Sequence, residues 1–380
     1  MKNRTVLLCS ILLLLTGCAD TAAQTYRCEL PDKSLITDKN LKDVFAEHGM
    51  KVGSCVHSGV IESQSMEKIL LEQYSSITME NAMKPDSILS LDHCQTTGSL
   101  TVDYSSETVQ ILNWAKAHEM PMRGHTLIWY SQTPEWIFHQ NFDESQPYVG
   151  RDEMLVRMED LIRSNFEELE KQDCLDLFYA YDVVNEGFME DGSMRRNHWY
   201  EIIGEDYIWY AFYYADKYAP ESIDLYYNDY NEQYKDETLC EFVETLVDED
   251  GRSLIDGIGM QAHLFTADDL NTYLEGVDQL AETGLKLQIT ELDLGLGAYE
   301  SPAVPTQDKL KEQGRYYYDL LNGIFQRADD GKIRMDAVTF WGFTDHSSWR
   351  SEYSPQLFDE ELLPKYAYYG AMQIKEYAGY

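Results

Sequence analysis

Two glutamates stand in short runs suited to paired-carboxylate chemistry: Glu186 closing Asp182-Val-Val-Asn185-Glu186, and Glu291 inside Ile289-Thr-Glu-Leu-Asp293. One carboxyl that keeps its proton can protonate a leaving group while a second, ionised one attacks or activates water, and environment alone separates the roles. Other groups able to bond a polar ligand recur along the chain. They are Glu80, Asn81 and Lys84; His125, Trp129 and Gln132; Asn228 to Asn231; Gln261 and His263; and Trp341, Asp345 and Trp349. Singly, each has an ordinary structural use, since a lone glutamate at the end of an element more often neighbours a helix cap or lines a solvated rim. Glycine-rich phosphate loops, His-Glu-x-x-His and Cys-x-x-Cys are all missing, so neither a cofactor nor a metal is expected.

The elements that must position these groups alternate. Short β-branched or aromatic runs predict strands at 51–56, 76–81, 121–129, 178–186, 223–229, 257–263, 286–292 and 335–342. Amphipathic stretches predict helices at 66–74, 107–118, 151–171, 199–218, 237–250, 270–283, 308–328 and 366–377. Strand-helix alternation implies parallel strands with right-handed crossovers, and eight of each close a (β/α)8 (TIM) barrel. In such barrels the strands deliver their C-terminal ends to one mouth, and seven of the eight predicted ends carry the groups named above. That convergence is costly for stability and typical of a site.

Glutamates on the fourth and seventh strands face each other across the mouth, as glycoside hydrolysis requires. Retention of configuration needs carboxyls roughly 5–5.5 Å apart and inversion about 6.5–9.5 Å, and the sequence leaves both open. A metal hydrolase built on His125 and His263, a non-catalytic polysaccharide-binding protein and a glucan hydrolase are the competing readings. The first lacks ligand spacing, and the second should have lost a glutamate.

The chain resembles the xylanases of glycoside hydrolase family 10 over nearly all its length after the leader. The resemblance is carried by Thr78-Met-Glu-Asn-Ala-Met-Lys84, Arg123-Gly-His-Thr-Leu-Ile-Trp129, Asp182-Val-Val-Asn-Glu186, Asp256-Gly-Ile-Gly-Met-Gln-Ala-His263, Ile289-Thr-Glu-Leu-Asp293 and Thr339-Phe-Trp-Gly342. It implies a retaining endo-β-1,4-xylanase acting on xylan and xylo-oligosaccharides, with Glu186 as protonated acid/base and Glu291 as ionised nucleophile. It further implies that His263 and Asp293 orient Glu291 and that Asn185 donates to the sugar 2-hydroxyl. Glu80, Asn81, Lys84, His125, Trp129, Gln132 and Gln261 would form the polar wall of the sugar sites, with Trp341 and Trp349 covering them. One departure stands out: the family commonly follows Trp129 with histidine, and this chain has Tyr130.

Lys2 and Arg4 precede an apolar run from Val6 to Leu15, about half the length of a membrane-spanning helix, which reads as an export signal. Leu15-Thr16-Gly17-Cys18 resembles a lipobox, making residues 1–17 a signal peptide, Cys18 a lipid anchor to the bacterial envelope, 18–30 a tether and 31–380 one barrel domain. An ordinary signal peptide is the alternative. Membrane contact is then expected only through the lipid. Five remaining cysteines, Cys28, Cys55, Cys94, Cys174 and Cys240, are too scattered for a disulfide framework, so buried thiols are expected. With 67 acidic against 30 basic residues and a net charge of −37, the chain repels nucleic acid, whereas a neutral polysaccharide feels little of that field. A monomer is expected.

Overall fold

The computed structural model describes residues 39–380. The leader 1–17, Cys18, the tether 18–30 and Cys28 lie outside the described residues. Eight parallel strands form the centre: β1 (Lys51–Val56), β2 (Ser76–Met79), β3 (Met122–Gly124), β4 (Phe178–Asn185), β5 (Asp224–Asp229), β6 (Gly257–Met260), β7 (Lys286–Gly295) and β8 (Met335–Phe340). Each pairs with the next, and β8 returns to β1 with Lys51 opposite Ala337, so the sheet closes into the expected barrel. Closure removes both free edges. Burial along β2 and β6 is continuous rather than alternating, because helices cover the outside while side chains fill the inside.

The covering helices follow the apolar spacing. Arg151–Lys171 buries Met154, Met158, Leu161, Ile162 and Leu169, a stripe repeating every three or four residues. Each such side chain withdrawn from water stabilises by about 1.5–3 kcal/mol. Gln307–Asp329 is capped by Thr306, whose hydroxyl accepts from the Lys309 N–H at 3.3 Å.

Several predicted elements are corrected: the helices expected at 237–250 and 366–377 stop at Val243 and Ala371, and three others change more. The helix expected at 199–218 is two, His198–Ile203 and Tyr207–Tyr218, broken by Gly204 at φ +116. The strand expected at 257–263 stops at Met260. Ala262, at φ +58, turns the chain before a short strand, His263–Phe265, pairs with β7. The third predicted strand ends at Gly124, so His125 and Trp129 stand beyond it, in a segment whose Leu127 and Ile128 N–H groups bond the β4 carbonyls of Asp182 and Val183. Short helices at Leu41–Glu47 and Ser58–Glu62 were not foreseen; the first places Phe45 edge-on to Phe325 with ring centres 5.0 Å apart.

Candidate active site

Below the mouth the barrel interior is polar. Arg123 from β3 and His125 both bond Asp182 from β4, the histidine at 2.7 Å, and all three are buried. A carboxylate taken out of water needs such partners. The predicted residues Asn185, Gln261 and Glu291 sit above this layer and are nearly inaccessible.

Glu291 is joined to Glu186 through amides. The Asn228 side chain donates to Glu291 Oε1 at 2.8 Å and to Asn185 Oδ1 at 2.9 Å. The ionised Glu291 carboxylate can only accept, which settles the direction of the amide, and the Asn228 oxygen then accepts from the Thr290 hydroxyl at 2.6 Å. Gln261 donates to Asn185 Oδ1 at 3.2 Å and to Glu186 Oε1 at 3.1 Å. The other end of the Asn185 amide lies 3.3 Å from Glu186 Oε1. Sequence reasoning places Asn228 at the predicted end of the fifth strand and gives it no role; it is the last residue but one of β5. What makes room for it is Gly259, where a Cβ would stand 2.4 Å from Asn228 Oδ1 and 2.9 Å from Thr290 Cγ2.

On its other flank Glu291 Oε2 lies 3.4 Å from His263 Nε2, and His263 Nδ1 lies 3.1 Å from Asp293 Oδ1. The turn at Ala262 sets this up, because it brings His263 into register with Asp293. Burial disfavours the imidazolium, but the Asp293 and Glu291 carboxylates outweigh it and raise the His263 pKa to about 9. Burial likewise opposes ionisation of Glu291. His125, His263 and Lys84 overcome it and pull the carboxyl to about 2. Glu291 is therefore an anion at any ordinary pH.

Asp293 has two more partners, Arg350, which sequence reasoning missed, and Trp349, which it expected only as a cover over the sugar sites. Arg350, itself buried, donates to Oδ1, and the Trp349 indole N–H donates to Oδ2 at 3.0 Å. Trp349 is 60 % exposed, stands edge-on to His263 at 5.0 Å and has the Arg350 guanidinium 5.7 Å from its ring centre, so much of the indole is open to solvent while its nitrogen is bonded to Asp293. Trp341 is buried and edge-on to His125 at 5.3 Å.

The remaining expected residues form one cluster. Lys84 Nζ donates to Asn81 at 3.0 Å and to Gln132 at 2.9 Å, Gln132 donates to Asn81 at 3.2 Å, and the ammonium sits 5.0 Å from the Trp129 ring centre. Burial lowers the Lys84 pKa, opposed by Glu291 and Glu80. Burial raises that of Glu80, opposed by His57 and Lys84. Tyr130 turns its hydroxyl toward the Glu186 carboxyl while its ring lies under the Arg195 guanidinium at 4.1 Å.

Residues 40–374 match glycosyl hydrolase family 10. The chain belongs to that family. It is 38% identical over 344 residues to a bifunctional endo-1,4-beta-xylanase of Ruminococcus flavefaciens, covering 88% of this chain and 34% of the relative. The chain thus spans about a third of that protein. It is 32% identical to an endo-1,4-beta-xylanase of Geobacillus stearothermophilus, covering 88% of this chain and 98% of the relative. Among solved structures, the Clostridium thermocellum endo-1,4-beta-D-xylanase 10B modules complexed with xylohexaose match with a TM-score of 0.78 at 33% identity, over 88% of this chain and 68% of theirs.

Proposed function

We propose that this family 10 chain hydrolyses internal β-1,4-xylosidic bonds of xylan with retention of configuration, Glu186 acting as acid/base and Glu291 as nucleophile. The observation that carries this reading is the difference between the two carboxylates. Glu291 is buried and held ionised by His263 and its neighbours, so it has no proton to give, and the proton for the leaving oxygen must come from Glu186. Glu186 Oε1 is oriented by Gln261 and Asn185.

In the first step Glu291 attacks the anomeric carbon as Glu186 protonates the departing glycosidic oxygen, leaving a glycosyl ester on Glu291. In the second, Glu186 removes a proton from water, the water attacks the same carbon, and Glu291 leaves. Asn185, beside Glu186, is the residue that donates to a sugar hydroxyl in this reading. The xylanase names of the family relatives and the xylohexaose in the C. thermocellum structure support xylan as the substrate. In this reading residues 31–380 are the barrel domain, and the Lys2–Cys18 pattern supports export and lipid attachment at Cys18.

The test is NMR of the first product released from a xylo-oligosaccharide, with rates compared on xylan and carboxymethylcellulose. A β-configured product and preference for xylan are expected; an α-configured first product overturns the mechanism, and equal rates overturn the substrate.

A further inference from the structure

A buried ion pair stands behind the acid/base with no part in the steps above. Asp229, the last residue of β5, is paired with Lys235 at 2.7 Å, and both side chains are inaccessible to solvent. Apolar residues of similar volume would often hold a fold as well as a buried ion pair does, so this one points to a use beyond stability. The Tyr227 hydroxyl donates to the second Asp229 oxygen at 2.5 Å and accepts from the Gly187 N–H at 2.9 Å. Burial and the Asp229 charge push the Tyr227 phenol well above its ordinary range, so the hydroxyl keeps its proton for Asp229 and turns a lone pair to Gly187.

Gly187 follows Glu186, and the backbone of Glu186 is exceptional. It lies at φ +54, in the left-handed region that a residue with a Cβ disfavours, and such a conformation persists where its surroundings over-determine it. Here they do. The Glu186 N–H donates to the Asn228 carbonyl at 2.9 Å, Arg195 Nε donates to the Glu186 carbonyl at 3.0 Å, and the next N–H is the one held by Tyr227. Beyond it the Phe188 carbonyl accepts from Lys235 at 3.5 Å. Gly187 permits the close approach, because a Cβ there would stand 2.7 Å from Ile208 Cδ1 and 3.2 Å from the Tyr227 hydroxyl oxygen.

We infer that Tyr227, held by Asp229 and Lys235, is a positioning residue for the acid/base: by fixing the Gly187 peptide it keeps Glu186 in the backbone conformation that aims its carboxyl at the departing oxygen. Successive strand residues point to opposite faces. Asn228 therefore reaches Glu291 on one face of β5, while Tyr227, packed between Phe188 and Phe242, reaches the Glu186 loop on the other. One strand thus sets the places of both carboxylates. The inference rests on the proposed role of Glu186.

The experiment measures kcat/KM on aryl xylobiosides whose leaving groups run from dinitrophenol, which departs without a proton, to phenol, which needs one. The full chain is compared with Tyr227→Phe, Gly187→Ala, Glu186→Ala and Tyr181→Phe. The last is a control that removes another buried hydroxyl, bonded to Asn165 at 3.3 Å where Tyr181 packs on Phe166. Tyr227→Phe should lose about ten- to a hundredfold on the phenyl substrate and less than about twofold on the dinitrophenyl one, because a misplaced acid hurts only the bond that needs its proton. Gly187→Ala presses on the same bond from the other side and should repeat the pattern; it decides the matter if Tyr227→Phe does not fold. Losses equal on both leaving groups, a profile like the parent's, or the same selectivity in Tyr181→Phe overturn the inference. Equal losses in Glu186→Ala overturn the acid/base reading and the inference with it, whereas selectivity in Glu186→Ala without it in Tyr227→Phe overturns the inference alone.

Discussion

Replacing Asp293 by asparagine removes one charge from the junction that keeps His263 protonated, with little change in shape. Two unit charges about 4 Å apart are worth about 4 kcal/mol at an effective dielectric near 20. His263 Nδ1 and Asp293 Oδ1 are 3.1 Å apart, but Arg350 sits on the same carboxylate and offsets part of its field. The proton affinity of His263 should therefore fall by about ten- to a hundredfold, or about 1.4–2.8 kcal/mol. The parent imidazolium persists to about pH 9; in Asp293→Asn it should titrate near neutrality. The neutral ring still has an N–H for Glu291, so geometry survives while the charge is lost. Charge-assisted bonds are roughly twice as strong as neutral ones, so kcat should drop about tenfold at pH 8 and little at pH 5.5.

The sign for stability agrees. A histidine whose pKa is raised on folding stabilises fully below its ordinary value near 6.5 and loses that contribution as pH rises through about 9; the variant should lose it earlier. KM should rise at every pH, because an amide N–H₂ in place of Oδ2 faces the Trp349 N–H and frees the indole. Rate profiles on an aryl xylobioside, with the His263 titration followed by NMR, test both effects. A His263 titration unchanged from the parent, or rate profiles parallel at all pH, would refute the electrostatic account.

Glu186→Ala should lose about 10²–10⁴-fold on xylan but far less on a substrate with an activated leaving group, which needs no proton; equal losses would reject the acid/base role. An activated 2-fluoro xylobioside should trap its adduct on Glu291, read by mass spectrometry of the peptides, and label elsewhere would reject that assignment. Gly259→Ala pushes a Cβ into Asn228, so kcat should fall about ten- to a hundredfold as the bond to Glu291 is lost, with about 1–3 kcal/mol of stability lost in urea melts. Cys18→Ser should abolish incorporation of labelled fatty acid and release the chain from membranes; unchanged labelling would place the lipid elsewhere.

Much of this was readable because strand ends are punctuated. β4 ends in Asn185 and β7 carries Glu291 and Asp293, and eight alternating runs allow little but a barrel. What stayed hidden depended on how neighbouring strands slide against one another. Asn228 was visible at the end of β5, yet its bond to Glu291 needs the empty space at Gly259 on the strand between them. The sequence pattern ran one strand through His263, and the turn at Ala262 is invisible to a two-residue period. Arg350 and Arg195 lie in loops, where no periodicity says which way a long side chain folds back. Gly204 was readable as a helix breaker, and the aromatic run around it concealed the break.

The seam between β1 and β8 has a consequence for how this chain is made. The first strand waits for the last, Lys51 for Ala337, so no closed sheet exists until almost the whole polypeptide is available. Contacts that distant in sequence form slowly, and an unclosed barrel exposes two strand edges to other chains. If the chain is exported as proposed, threaded through a membrane before it folds, late closure keeps the translocating chain loose. The same feature makes truncations short of Met335 prone to aggregate rather than to yield a smaller active enzyme.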